Sequence, residues 1–113
     1  MEPRDAGGLN IVLNRIRSQA AAEEVRVTQH AQQEMVEEGI GLDEVLQAIQ
    51  SAEVLESYPE HKRGPCCLLV GSTQHERWLH IVCTMAQPIL VIITVYEPKL
   101  PKWATPTQRG RMS

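Results

Sequence analysis

The run RWLHIVCTMAQPILVIITVYEPKLPKW, residues 77–103, constrains the fold more than any other part of the chain. It holds two apolar stretches rich in β-branched residues, 78–85 and 89–96, joined by a short connection that includes Pro88. Two such stretches so close together predict neighbouring antiparallel strands. The second delivers Thr94, Tyr96, Lys99, Lys102 and Trp103 to one edge, and binding and catalytic groups concentrate at strand ends and in the loops that follow them.

Upstream the spacing is helical. Leu9, Val12, Leu13, Ile16 and Ala20 predict a first helix to about Ala22, and 25–28 is a short strand candidate. Thr28 is placed to cap a second helix carrying His30, Ala31, Glu34 and Met35, which Gly39 would terminate. Leu42, Val45, Leu46 and Ile49 then form one apolar stripe on a third helix. From Val54 the pattern turns to strands at 54–58, 66–71, 78–85 and 89–96. Helices followed by closely spaced strands predict an α+β fold, with N-terminal helices on one face of a curved antiparallel β-sheet. The expected organisation is a flexible leader at 1–8, one domain at 9–103 and a basic flexible tail at 104–113.

Burial preference sets an expected register for the last two strands. Placing Leu79, Ile81, Cys83 and Met85 under the helices with Ile89, Val91, Ile93 and Val95 puts His80 opposite Thr94, Trp78 opposite Tyr96 and Met85 opposite Ile89. The expected core is then Leu13, Ile16, Val45, Leu46, Ile49, Ile81, Val91 and Ile93. His80, Thr94 and Tyr96 share the outer face.

Aromatic residues are few, two Trp and two Tyr with no Phe, so the core must be aliphatic. The three cysteines include the adjacent Cys66 and Cys67, which argues against a disulfide framework and for a reducing, cytoplasmic setting. The longest apolar run, 88–95, is too short to span a bilayer as a helix. Net charge is −3, but it is unevenly placed. Residues 1–58 carry four Arg against eleven acids, which gives −7, and residues 59–113 carry seven Lys or Arg against three Glu, which gives +4. Such asymmetry suits a protein that holds phosphates on one side.

Acid–base chemistry at a phosphodiester needs a base, an acid, and cations or donors around the phosphorane. His80 suits the first two roles, and its alternative is a histidine hydrogen-bonded on a strand. Tyr96 can donate to phosphate, stack on a base or simply pack. His30 shares a helix face with Glu34, either as a functional pair or as a surface one. Candidate phosphate or base contacts are Lys62, Arg63, Thr94, Lys99, Lys102 and Trp103, the last of which can also plug the end of the core. His61, Cys66, Cys67, His75, His80 and Cys83 are close in sequence, but the spacing fits zinc poorly, because adjacent cysteines on a strand point to opposite faces. No metal or other cofactor is expected.

Three blocks, VTQHAQQEMVEEGIGLDEVLQAI, ESYPEHKRGPCCLLVG and LHIVCTMAQPILVIITVYEPKLPKW, together resemble the prokaryotic domain of unknown function 4258 family. That family is grouped with the RelE-like toxins, and members of this subtype are often encoded beside a zinc-finger antitoxin of the MqsA or YgiT type. The resemblance implies a RelE-like fold and a type II toxin acting on RNA as a metal-independent endoribonuclease. The alternative is a non-catalytic module that binds RNA or a protein through the basic C-terminal face. Many relatives carry Arg where this chain has Glu34, so the resemblance does not carry over a phosphate-binding cation there.

Overall fold

A computed structural model describes residues 6–99 and 103–108. The helices are α1 (Ala6–Ala21), α2 (Gln29–Glu38) and α3 (Leu42–Gln50). The strands are β1 (Val25–Val27), β2 (Glu53–Tyr58), β3 (Cys66–Ser72), β4 (Trp78–Thr84) and β5 (Leu90–Tyr96). They form one five-stranded sheet in the order β1-β5-β4-β3-β2. The helices bury Leu13, Ile16, Ala31, Met35, Val45 and Ile49 against one face of it, in a core completed by Leu69, Leu79, Ile81, Leu90, Ile92 and Val95. No helix among the described residues is long and apolar enough to cross a membrane.

Local chemistry sets the helix ends. Thr28 has extended φ and ψ, and its hydroxyl accepts the Ala31 amide at 3.1 Å. Gly39 closes α2 in the left-handed region at φ 64°, where a side chain would add strain. Gly41 has no side chain to cap α3, but Glu44 reaches back to accept the Gly41 amide at 3.0 Å. Gly71 in β3 meets α3 so closely that a Cβ there would lie 2.0 Å from the Ala48 carbonyl oxygen. Only glycine permits that approach.

Three expectations change. The sheet is mixed, not purely antiparallel, because β1 joins its edge parallel to β5, with Val25 beside Leu90 and Val27 beside Ile92. The register between β4 and β5 is also different: His80 faces Tyr96, Val82 faces Thr94, and after a bulge Cys83 faces Ile92. Finally, Val91 and Ile93 are only half-buried and lie outside the core, whereas Leu90 and Ile92 are fully buried in it. The parallel neighbour explains the inverted phase, since Val25 and Val27 pack into the core and their partners Leu90 and Ile92 share that face. The bulge inserts Ile93 and lets Val95 return to the helix side. Leu13, Ile16, Val45, Ile49 and Ile81 are buried as expected, and Leu46 packs half-buried against them.

Beyond Ile92, β5 has no strand partner on the β1 side among the described residues, and α2 supplies hydrogen bonds there. The Thr28 hydroxyl donates to the Ile93 carbonyl at 3.1 Å, Glu34 accepts the Val95 amide at 2.9 Å, and Glu38 accepts the Glu97 amide at 3.0 Å. Carboxylates four apart on a helix are about one turn apart, close to the repeat between alternate amides of a strand. Glu34 therefore serves the backbone of β5.

Candidate nucleic-acid interface

The outer face of the sheet is defined by β3 and β4, where Val70 pairs with His80, Leu68 with Val82 and Cys66 with Thr84. Tyr96 extends the His80 row and Thr94 the Val82 row. The core places His80 there, because Leu79 and Ile81 on either side point to the helices. Tyr96 follows Val95 in the same way.

His80 is fully buried and both ring nitrogens are engaged. Nε2 lies 2.6 Å from the Pro106 carbonyl oxygen, which can only accept, so Nε2 carries the proton. In the neutral ring Nδ1 is then an acceptor, and the Tyr96 hydroxyl donates to it across 3.1 Å. The Tyr96 oxygen in turn accepts the Trp103 indole N–H at 3.2 Å. Donation runs in one direction from indole to phenol to imidazole to backbone carbonyl, an arrangement in which each bond polarises the next. Trp103, 2% exposed, also sets the edge of its contact on the His80 ring, with centroids 4.4 Å apart and planes at 80°. Chemically the array brings an imidazole and a phenol together, but segment 103–108 covers the imidazole.

The remaining candidates divide into separate groups. Thr94 sits half-buried on the same outer face. Lys99 is 66% exposed, and its ammonium is 4.0 Å from Glu38. Lys102 lies outside the described residues. Lys62 and Arg63 are exposed in the turn between β2 and β3, where the His61 imidazole accepts the Arg63 amide at 3.1 Å. Neither makes an ion pair among the described residues. His30 is 66% exposed on α2, 3.4 Å from Glu34.

Sequence reasoning missed the Pro106 carbonyl, for which a proline in a polar tail gave no signal. It also missed Arg77, which donates to the Glu38 and Gly39 carbonyls at 2.5 and 2.9 Å and to Glu97 at 2.7 Å. The Arg77 guanidinium holds the Glu97 carboxyl below the usual carboxylate range, and Glu97 raises Arg77 in return. Burial pushes the Cys66 thiol up, and its bond to Cys67 together with burial holds Cys83 well above the usual thiol range. Among the described residues no three His, Cys, Asp or Glu side chains are grouped to hold a metal ion.

The architecture is that of an α+β domain whose helices occupy one sheet face and whose His80, Thr94 and Tyr96 occupy the other. The sequence profile of the family described as a domain of unknown function, DUF4258, matches residues 27–97, and the chain belongs to that family. The match begins at the end of β1 and closes at Glu97, one residue past β5. It thus includes His80 and Tyr96 but neither α1 nor Trp103. No curated protein and no solved structure matches the chain.

Proposed function

We propose that the protein binds RNA at the outer face of its sheet, as the toxin-like member of a pair completed by a zinc-finger antitoxin of the MqsA or YgiT type. The observation that carries the binding reading is the exposure of Lys62 and Arg63 without carboxylate partners among the described residues, while the His80 imidazole is covered. Holding a polyanion requires accessible cations and no accessible base. The toxin assignment and the RelE-like fold rest on the resemblance of three sequence blocks. Titration of the full chain into labelled single-stranded RNA tests the reading: affinity should fall steeply and log-linearly with salt, and no binding at low salt would overturn it.

A second reading, metal-independent endoribonuclease, is favoured by the 3.1 Å approach of His80 Nδ1 to the Tyr96 hydroxyl. One group would take the 2′-hydroxyl proton and the other would protonate the leaving 5′ oxygen. For that, the Pro106 carbonyl must leave Nε2, so segment 103–108 must lift from the sheet. RNA incubated with the protein in chelator should then be cleaved, and His80→Ala should slow cleavage on the order of a hundredfold. A folded His80→Ala protein with the full rate removes His80 from the chemistry.

A further inference from the structure

The β4–β5 connection is bordered by two adjoining hollows of about 220 Å³ each. Arg63 lines one and Arg26 the other, and Gln87 and Val91 belong to both. Arg26 pairs with Val91 in the sheet, and because Val25 and Val27 point to the core, Arg26 points to the outer face. Thr84 borders the Arg63 hollow, and Ile89, 51% exposed, borders the Arg26 hollow. The result is a trough with a guanidinium in each half, Gln87 and Val91 between them and Ile89 in the Arg26 half.

Both cations are available. Arg26 and Arg63 are exposed, and neither forms an ion pair or donates a side-chain hydrogen bond among the described residues. A third guanidinium reinforces the charge, since Arg15 spends its donors on the neutral carbonyls of Met85 and Gln87, at 3.1 and 2.9 Å, instead of on a carboxylate. Those bonds, with two more from Gln19 to the Gln87 and Pro88 carbonyls at 3.0 Å, hold the floor of the trough in place. A rigid floor with free cations in both halves suits a ligand that repeats its negative charge and carries a flat apolar group between repeats.

We propose that this trough is a phosphodiester-binding site: Arg26 and Arg63 each take a phosphate of one single strand, and the intervening nucleotide lies over Val91 and Ile89. The inference deepens the RNA-binding reading and rests on it. It assigns the strand to the end of the outer face opposite the His80 array, where no lifting of segment 103–108 is needed. Guanidinium suits the task because it can grip a phosphate with two parallel N–H donors.

The experiment is fluorescence anisotropy of the full chain with a short labelled single-stranded RNA across a salt series. Wild type is compared with Arg26→Gln, Arg63→Gln, the double variant, and Lys62→Gln with Lys99→Gln as a control pair. The double variant should lose about tenfold or more in affinity, and its log–log salt slope should become shallower by about 0.7 for each arginine removed. A strand with neutral methylphosphonate linkages should not bind. Lys replacements at both positions should restore the salt slope but only part of the affinity. If RNA binds and the double variant matches wild type while the control pair weakens it, the trough proposal falls and the RNA-binding reading stands. If RNA does not bind wild type, both fall. If polyglutamate displaces RNA with equal potency, the trough is a site for acidic peptides and the proposal is overturned.

Discussion

On β3, Cys67 and Leu69 point to the helices while Cys66, Leu68 and Val70 point away, yet none of the five is more than 3% exposed. Antiparallel strands commonly leave one face to water. On β3 the two faces reach the same burial by different means. Helices of nine to sixteen residues, each with its own backbone bonds, close the first. At the His80 row the second is closed by segment 103–108, which contains no helix or extended strand. That segment rests on the Trp103 indole, the Pro106 carbonyl and a turn between Ala104 and Gln108. Cover of this kind opens at a lower free energy than a packed helix, because few apolar contacts must be broken together.

The sharpest way to break the comparison is to injure each face in turn. Leu69→Ala, on the helix side, should cost about 2–5 kcal/mol in global stability, measured by denaturant unfolding. Trp103→Ala should cost less, because the chain can release segment 103–108 without unfolding the sheet. The same variant should make His80 reactive to an imidazole-modifying reagent that spares it in wild type. Equal losses of global stability, with His80 still protected, would show that both faces belong to one cooperative unit.

The helix side was legible in the sequence because its pattern is local. Thr28, Gly39 and the stripe of Val45 and Ile49 occupy the positions that spacing assigns them. The strand positions were also legible, but the phase of β5 was not. Ile89, Val91 and Ile93 are as apolar as Leu90 and Ile92, so alternation carried little information, and the deciding neighbour was β1, more than sixty residues away in sequence. The site was legible in part. His80 and Tyr96 could be assigned to one face from the apolar phase around them, and Trp103 could be read as a plug. That Trp103 completes a directed array closed by the Pro106 carbonyl depends on a chain reversal without periodicity. The bond from the Val95 amide to Glu34 gave no signal beside His30, because it comes from the tertiary placement of α2 along β5.

That seam offers the next largest effect. Removing the Glu34 carboxylate with Glu34→Ala leaves the Val95 amide without its acceptor, and should cost about 1–3 kcal/mol, the range for an unsatisfied buried group. Amide exchange should rise at Val95 more than at Ile81, deep in the sheet. His30→Ala, which removes the other partner of Glu34, should leave both stability and exchange unchanged, since His30 is 66% exposed. If His30→Ala proves the more damaging change, the pair matters as a pair and the strand-capping role of Glu34 is wrong.

The smallest effect should come from the ionic tie between β4, β5 and the ends of α2 and α3. Arg77 lowers the Glu97 carboxyl, so the folded protein binds that proton more weakly than the unfolded chain does. The tie therefore contributes fully above the ordinary Glu value of about 4.3, and its contribution is lost as the pH falls through the lowered value of the folded state. Both side chains are partly open to solvent, 23% for Arg77 and 31% for Glu97, so the gain is screened and should stay within about 1 kcal/mol. Glu97→Gln should flatten the acid limb of the stability curve by that amount while leaving Arg77 bonded to the Glu38 and Gly39 carbonyls. Arg77→Gln should cost more at neutral pH, because those two carbonyls lose their donor as well. Should Glu97→Gln instead leave the acid limb unchanged, the pH dependence belongs to other carboxylates, and Arg77 holds α2 to the sheet through the carbonyl bonds alone.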